Sequence, residues 1–236
     1  MIISHRHHYI FIKTKKTAGT SVEIALSEYC GPADVITPIV AEDEAVRSEL
    51  GFRGPQNYQV PLRRYGLRDW GRLLIGRGRV KPFKNHHPAW YVRKYVAPRV
   101  WRTYFKFCVE RNPWDKAISA WYFVHYRRYP RLEDYIHSAT LLQLTDWHRY
   151  AEGDRLIVDE VFRYEDLAAG MARLRQRAGL PAVPRLPRAK AGFRKDRRPY
   201  WEVLGPAERE RIAEVFAREI RQFGFQFGPT DSGATR

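Results

Sequence analysis

Apolar positions along this chain follow two alternating rhythms. Short apolar runs have the length of strands, and each passes through a tight turn into a stretch with apolar residues at helical spacing. Residues 9–14 form the first run, with Tyr9, Ile10, Phe11 and Ile12, and predict a buried strand before a helix at 19–29. Residues 104–109 form the second and precede a helix at 113–126, where Trp114, Ala117, Ile118, Trp121 and Tyr122 make a core-facing stripe. The run 156–162 predicts a further strand, followed by a helix at 167–178 that Gly179 closes. Helices are also expected at 41–50, at 88–95 with Pro98 as the stop, and at 132–144. Another opens at Pro206, with Ile212, Val215, Phe216, Ile220 and Phe223 on one face. Between residues 31 and 84, glycine and proline recur among arginines, and little regular structure is expected. Strands alternating with helices predict an α/β single domain, residues 1–228, with a mainly parallel central sheet flanked by helices; residues 229–236 read as a disordered tail.

In such sheets ligands belong at the carboxyl ends of the strands, and two turns there carry cations, hydroxyls and small residues. The first is Lys15-Lys16-Thr17-Ala18-Gly19-Thr20-Ser21. It is close to a nucleotide-triphosphate loop, but the lysine precedes the glycine and no glycine lies upstream of it. Lys16 then stands at the strand end as a point charge, Gly19 lets backbone approach an anion, and hydroxyls and helix-opening N–H groups can ring a phosphate. The plainer reading of this segment alone is a Ser/Thr-capped helix with an incidental lysine. The second turn is Arg111-Asn112-Pro113-Trp114-Asp115-Lys116-Ala117-Ile118-Ser119. Asn112 suits the N-cap and Pro113 the first helical position, Asp115 and Ser119 lie one turn apart, and Arg111 can clamp a phosphate with its planar fork. Two such turns on neighbouring strands would hold a ligand with phosphates at both ends.

Together the turns resemble the 5′-phosphosulfate loop and the 3′-phosphate motif of the sulfotransferase superfamily, which uses 3′-phosphoadenosine 5′-phosphosulfate (PAPS). The first is similar to the P-loop-like version in the carbohydrate-type branch (family 2), which includes heparan sulfate 2-O-sulfotransferase relatives. His86-His87-Pro88-Ala89, Arg163-Tyr164-Glu165-Asp166-Leu167 and the terminal Phe223-Gly224-Phe225 extend the resemblance in the family's order. Two residues depart from it: Lys15 stands where proline is usual, and Glu110 where an apolar residue usually precedes the arginine. Glu110 would set an anion beside a phosphate site unless the strand turns it away or a cation, for which Lys106 is the candidate, pairs with it.

The resemblance implies a PAPS-dependent enzyme moving a sulfuryl group to a hydroxyl of a carbohydrate or glycolipid. It implies cofactor binding by Lys16, Thr17, Ala18, Gly19, Thr20, Ser21, Arg111 and Ser119, and no metal, because the cations come from protein. Lys16 would stabilise charge developing on the departing phosphate oxygen. His86 matches the histidine of the family's His-x-x-Ala pattern and would be the general base, with His87, Glu42 and Glu165 as alternatives. The irregular insert would form part of the acceptor wall. Lys190, Arg194, Lys195, Arg197 and Arg198 match a basic loop that closes over the nucleotide in the family, a solvated loop being the alternative. Glu165 and Asp166 also read as caps of the following helix, and His5, His7 and His8 as an exposed N-terminal run rather than metal ligands.

A net charge of +16 and a pI near 10.1 call for an anionic partner without choosing it. A P-loop-like kinase is the first alternative, against which stand the missing Walker glycine and the want of a magnesium-binding acidic strand end. A basic nucleic-acid or membrane-surface binder is the second; no recognition-helix or RNP-type pattern supports specific nucleic-acid binding. Cys30 and Cys108 make no disulfide framework, and Cys108 reads as an inert core residue. No apolar run reaches about eighteen residues, so no spanning helix is expected. His5-Arg6-His7-His8 leading into the first strand leaves no room for a signal peptide, and a cytoplasmic enzyme is expected, with peripheral contact at the inner membrane face left open.

Overall fold

The apolar runs become adjacent strands of one sheet in the computed structural model, which describes residues 1–75, 81–187, 196 and 198–229. The chain begins with β1 Ile2–Ser4, β2 Tyr9–Ile12, α1 Gly19–Ser27, β3 Val35–Ile36, α2 Ala41–Glu49, α3 Leu67–Leu74, α4 Ala89–Tyr95 and α5 Pro98–Thr103. It continues through β4 Phe105–Glu110, α6 Pro113–Ala120, α7 Leu132–His137, α8 Trp147–Tyr150, β5 Ala151–Glu152, β6 Arg155–Leu156 and β7 Glu160–Arg163. The last elements are α9 Leu167–Ala178, α10 Tyr200–Val203, α11 Pro206–Val215 and α12 Ala217–Phe223. Among the described residues no helix is long and apolar enough to cross a membrane.

The central sheet has the order β3-β1-β2-β4-β7. β2, β4 and β7 run parallel, with Ile12 opposite Cys108 and Glu110 opposite Arg163. β1 lies antiparallel to both β2 and β3 and is the one reversed strand in an otherwise like-directed central sheet among the described residues. β1 and β3 are too short to leave a pattern in the sequence. His5-Arg6-His7-His8 is the turn of the β1–β2 hairpin, not a leading run. Asp34 closes that turn by accepting from the backbone N–H groups of His5 at 2.6 Å and Arg6 at 3.0 Å.

Strand alternation sends side chains to both faces, and helices cover each. Ile10, Ile12 and Cys108 pack with Ala89, Val92 and Tyr95 of α4 and Tyr150 of α8. Phe11, Phe107 and Phe162 meet α1 and α9 on the other face, with ring centroids 5.2 and 5.0 Å apart across the strands. A third cluster joins α6, α7 and α11 through Trp114, Ile118, Tyr135, Ile212 and Phe216.

Several helices are shorter than their apolar patterns suggest. The helix expected at 113–126 gives way after Ala120 to a π-helical turn, Trp121–His125. The pattern at 132–144 divides into α7 and a 3₁₀ helix, Ala139–Leu144, where the Ser138 hydroxyl caps the Thr140 N–H at 3.2 Å. Pro98 opens α5, since proline suits a first helical position. The segment 156–162 splits between β6 and β7, and the terminal helix breaks at Phe216. The insert of little expected regularity contains β3 and α3 besides the expected helix α2.

Candidate functional site

Because β2 and β4 are parallel neighbours, the turns that follow them leave the same end of the sheet. Lys16, Thr17, Ala18, Gly19, Thr20, Ser21, His86, Arg111 and Ser119 all border one cleft of about 450 Å³. The π-helical turn contributes Phe123 and His125, the 3₁₀ helix contributes Thr140 and Gln143, and Tyr164 follows the end of β7.

The first turn is held in an unusual backbone state. Lys16 and Ala18 have φ of 59° and 57°, in the left-handed region, which costs a residue bearing a Cβ about 1–2 kcal/mol. Neighbours hold it there. The Lys15 N–H donates to Asp146 at 2.6 Å, and the Arg111 Nη1 donates to the Lys16 carbonyl at 3.1 Å. The Thr14 hydroxyl donates to the Val109 carbonyl, so Thr17 must be the donor in the 2.8 Å bond between the two threonine hydroxyls. The Thr17 hydroxyl is therefore engaged inside the turn while the residue still borders the cleft. Helix α1 starts without a side-chain cap and without an acidic residue in its first turn. Its first backbone bond runs from Val22 to Ala18, which leaves the amides of residues 18–21 as the orphan donors of a helix start beside the cleft.

Gly19 answers a packing demand. A Cβ there would lie 2.7 Å from Cγ of Lys13, whose buried stem runs beneath the glycine to an ion pair with Glu23 at 2.9 Å.

In the second turn the Asn112 side chain caps the Trp114 N–H at 3.2 Å, as its position predicts. Glu165 accepts from the Asn112 N–H at 2.7 Å, so it serves the start of α6 rather than the helix after it. Arg111 lies against the Tyr164 ring, 4.2 Å from its centroid, and donates from Nε and Nη2 to Asp115 at 2.9 and 2.6 Å. With Nη1 on the Lys16 carbonyl, one N–H on each terminal nitrogen remains for a ligand.

Beneath both turns lies a buried charge network that sequence reasoning missed. Lys116 bridges Glu110 at 2.7 Å and Asp146 at 2.9 Å, and none of the three exceeds 1% side-chain exposure. Glu110 also accepts from the Tyr150 hydroxyl at 3.0 Å, and Asp146 pairs with Arg149 at 2.5 Å. Arg149 in turn donates to the His86 carbonyl. Lys106, the expected partner of Glu110, instead pairs with Asp159 at 2.9 Å. Burial, together with the charge of Asp146, holds Glu110 above the usual carboxylate range. Burial opposes ionisation of Asp146 too, but Lys116 and Arg149 outweigh it and hold that group low. A lysine inside the apolar stripe of α6 was the one available signal, because a buried lysine needs an anion; Asp146 carried none.

His86 and His87 separate in their surroundings. The His86 Nδ1 lies 3.1 Å from the Lys13 carbonyl, which can only accept, so Nδ1 carries the proton and Nε2 presents a lone pair. Burial, then the charges of Lys13 and Arg149, push the His86 imidazole down to about 4, so it is neutral at pH 7. The His87 Nδ1 accepts from the Lys84 N–H at 3.1 Å and its ring packs on Tyr91, outside the cleft wall. Glu42 is exposed on α2 and Glu165 is engaged with Asn112. His125 also borders the cleft but stacks on Tyr135 at 4.7 Å. The Lys16 ammonium sits 3.7 Å from the centre of the Phe123 ring, a cation–π contact supplied by the π-helical turn.

Lys190, Arg194, Lys195 and Arg197 lie outside the described residues, as does the tail from 230 to 236; Arg198 pairs with Asp196 at 2.6 Å. Among the described residues no three His, Cys, Asp or Glu side chains cluster as metal ligands.

A model of the sulfotransferase family matches residues 1–226. The chain is also similar to an uncharacterized protein of Archaeoglobus fulgidus, 29% identical over 102 residues, which cover 40% of this chain and 83% of that protein. No solved structure matches it significantly. The match of nearly the whole chain, and a cleft built where two cationic turns meet, place this protein in the sulfotransferase family, as a transferase of sulfuryl groups.

Proposed function

We propose that this enzyme takes the sulfuryl group from PAPS and transfers it to a hydroxyl of a carbohydrate or glycolipid, releasing adenosine 3′,5′-bisphosphate. One observation carries the reading: two cationic turns, 95 residues apart in sequence, meet where the Arg111 guanidinium donates to the Lys16 carbonyl at 3.1 Å. On this reading, the uncapped start of α1 and Lys16 take the 5′ end of the donor. Arg111, through its remaining N–H groups, and Ser119 take the 3′-phosphate and select against a phosphosulfate lacking it. His86 accepts the hydroxyl proton at Nε2 as the acceptor oxygen bonds to sulfur. Lys16 neutralises the phosphate oxygen released when its bond to sulfur breaks.

Calorimetric titration with adenosine 3′,5′-bisphosphate, without added metal, tests the binding half. The expected outcome is saturable binding that weakens at least about tenfold for adenosine 5′-phosphate, which lacks the group assigned to Arg111 and Ser119. Transfer of label from PAPS to a glycan and glycolipid panel tests the chemistry. Failure to bind the bisphosphate, with magnesium-dependent ATP turnover instead, would replace this reading by a kinase.

A further inference from the structure

Helix α3 has its polarity reversed. Its acidic residue, Asp69, faces the protein, where it pairs with Lys81 at 2.5 Å and accepts from the Tyr95 hydroxyl at 3.1 Å. Its apolar residues face outward: Leu67 is 93% exposed, Leu74 81% and the adjoining Ile75 64%, with Trp70 also exposed. At helical spacing Leu67, Trp70, Gly71 and Leu74 form one stripe, and Arg68 and Arg72 flank it. The preceding 3₁₀ turn, Leu62–Arg64, adds exposed Leu62 and Arg63. Asp69 is the only acid between residues 62 and 75, and it is turned inward, so the outer face combines aliphatic bulk with positive charge that no ion pair opposes among the described residues.

That combination fits one occupant. A second copy of the chain docking on this face would bring like charges together. An anionic glycan would satisfy the arginines and leave the leucines in water. An anionic bilayer meets both, since its phosphates lie above a boundary that accepts aliphatic and indole side chains. We propose that α3 and the turn before it form a docking face for anionic phospholipid membrane, with Leu67, Trp70, Leu74 and Ile75 entering the headgroup boundary and Arg63, Arg68 and Arg72 meeting lipid phosphates. The face lies on the α4 side of the sheet, and the Asp69–Lys81 pair fixes it to the segment that leads to His86. This inference goes beyond the transfer reading and does not depend on it.

Flotation of the full chain with phosphatidylcholine vesicles, alone or with about a third phosphatidylglycerol, provides the test. The protein is expected to float with the anionic vesicles only and to be released by salt. Leu67→Gln with Leu74→Gln, both at exposed positions, should weaken binding at least about tenfold. Arg68→Gln and Arg72→Gln should each weaken it about fivefold, while Arg175→Gln with Arg177→Gln on α9, across the sheet, should stay within about twofold. Vesicles should shift tryptophan emission to the blue, and Trp70→Phe should remove that shift. Binding unaffected by the leucine changes would overturn the proposal in favour of attraction by net charge alone. Loss of a dimer, or of polyanion retention, in the leucine variant without vesicle binding by the parent would assign the face to a second copy or to a glycan.

Discussion

Replacing Asp146 by asparagine should loosen both halves of the cleft from a position that is itself fully buried. Asp146 receives the Lys15 N–H and the Lys116 ammonium on one oxygen and the Arg149 guanidinium on the other. An asparagine amide must place its NH₂ against one of these donor sets, whichever way it sits. The lesser loss faces Arg149, which keeps some solvent; the greater faces Lys15 and Lys116 together. Breaking a buried pair by removing one partner costs about 3–5 kcal/mol, and the low end applies because Lys116 retains Glu110. The variant should therefore lose about 3 kcal/mol in urea denaturation at pH 7. Its affinity for adenosine 3′,5′-bisphosphate should also fall, because the Lys15 amide and, through Arg149, the His86 carbonyl lose their anchor. Asp159→Asn is the control: its ion pair with Lys106 is partly exposed and should be worth about 1 kcal/mol or less. A D146N protein within about 1 kcal/mol of the parent, binding the bisphosphate equally well, would refute the hub.

Three further outcomes are expected. Lys16→Ala should reduce turnover by about 10²–10³-fold while changing bisphosphate affinity far less, and equal losses in both would reduce Lys16 to a binding residue. For His86, the folded value of about 4 lies below the ordinary 6.5, so the unfolded chain holds more protons between those values. Its contribution is therefore intact above pH 6.5 and declines on acidification, by about 3 kcal/mol near pH 4. The stability of His86→Asn should fall less steeply than that of the parent over this window; parallel curves would contradict the burial assigned to the ring, and Glu110, whose raised value acts in the opposite sense, cancels in the comparison. Gly19→Ala should lower Tm through about 1–3 kcal/mol of overpacking, because the new Cβ meets Lys13 Cγ at 2.7 Å, and an unchanged Tm would mean that the lysine stem moves freely.

The parallel strands could be read before the structure because their apolar runs end abruptly in polar turns. The cleft was legible for the same reason: Lys16 and Arg111 both stand just beyond a strand end, and parallel pairing brings those ends together. β1 and β3 escaped because two or three residues carry no periodicity. The Glu110–Lys116–Asp146 network escaped because Glu110 and Lys116, six residues apart, match no helical or strand spacing, and Asp146 lies 30 residues beyond Lys116. The left-handed state of Lys16 and Ala18 was equally hidden, since nothing in a lysine or an alanine announces it. Phe123 drew no reading of its own, because the π-helical turn that sets it against Lys16 departs from the regular spacing on which the helix was predicted.

Residues close to the carboxyl end have a hand in this arrangement. The Asn112 side-chain amide donates to the Gln226 carbonyl at 3.0 Å, and the Tyr200 hydroxyl joins the same latch by donating to the Gly228 carbonyl at 2.7 Å. During synthesis, then, the helix that follows Arg111 waits for Gln226, 114 positions beyond Asn112, to leave the ribosome before its first turn is fully tied. A nascent chain halted short of residue 226 would carry both cationic turns and still lack this fastening at the start of α6.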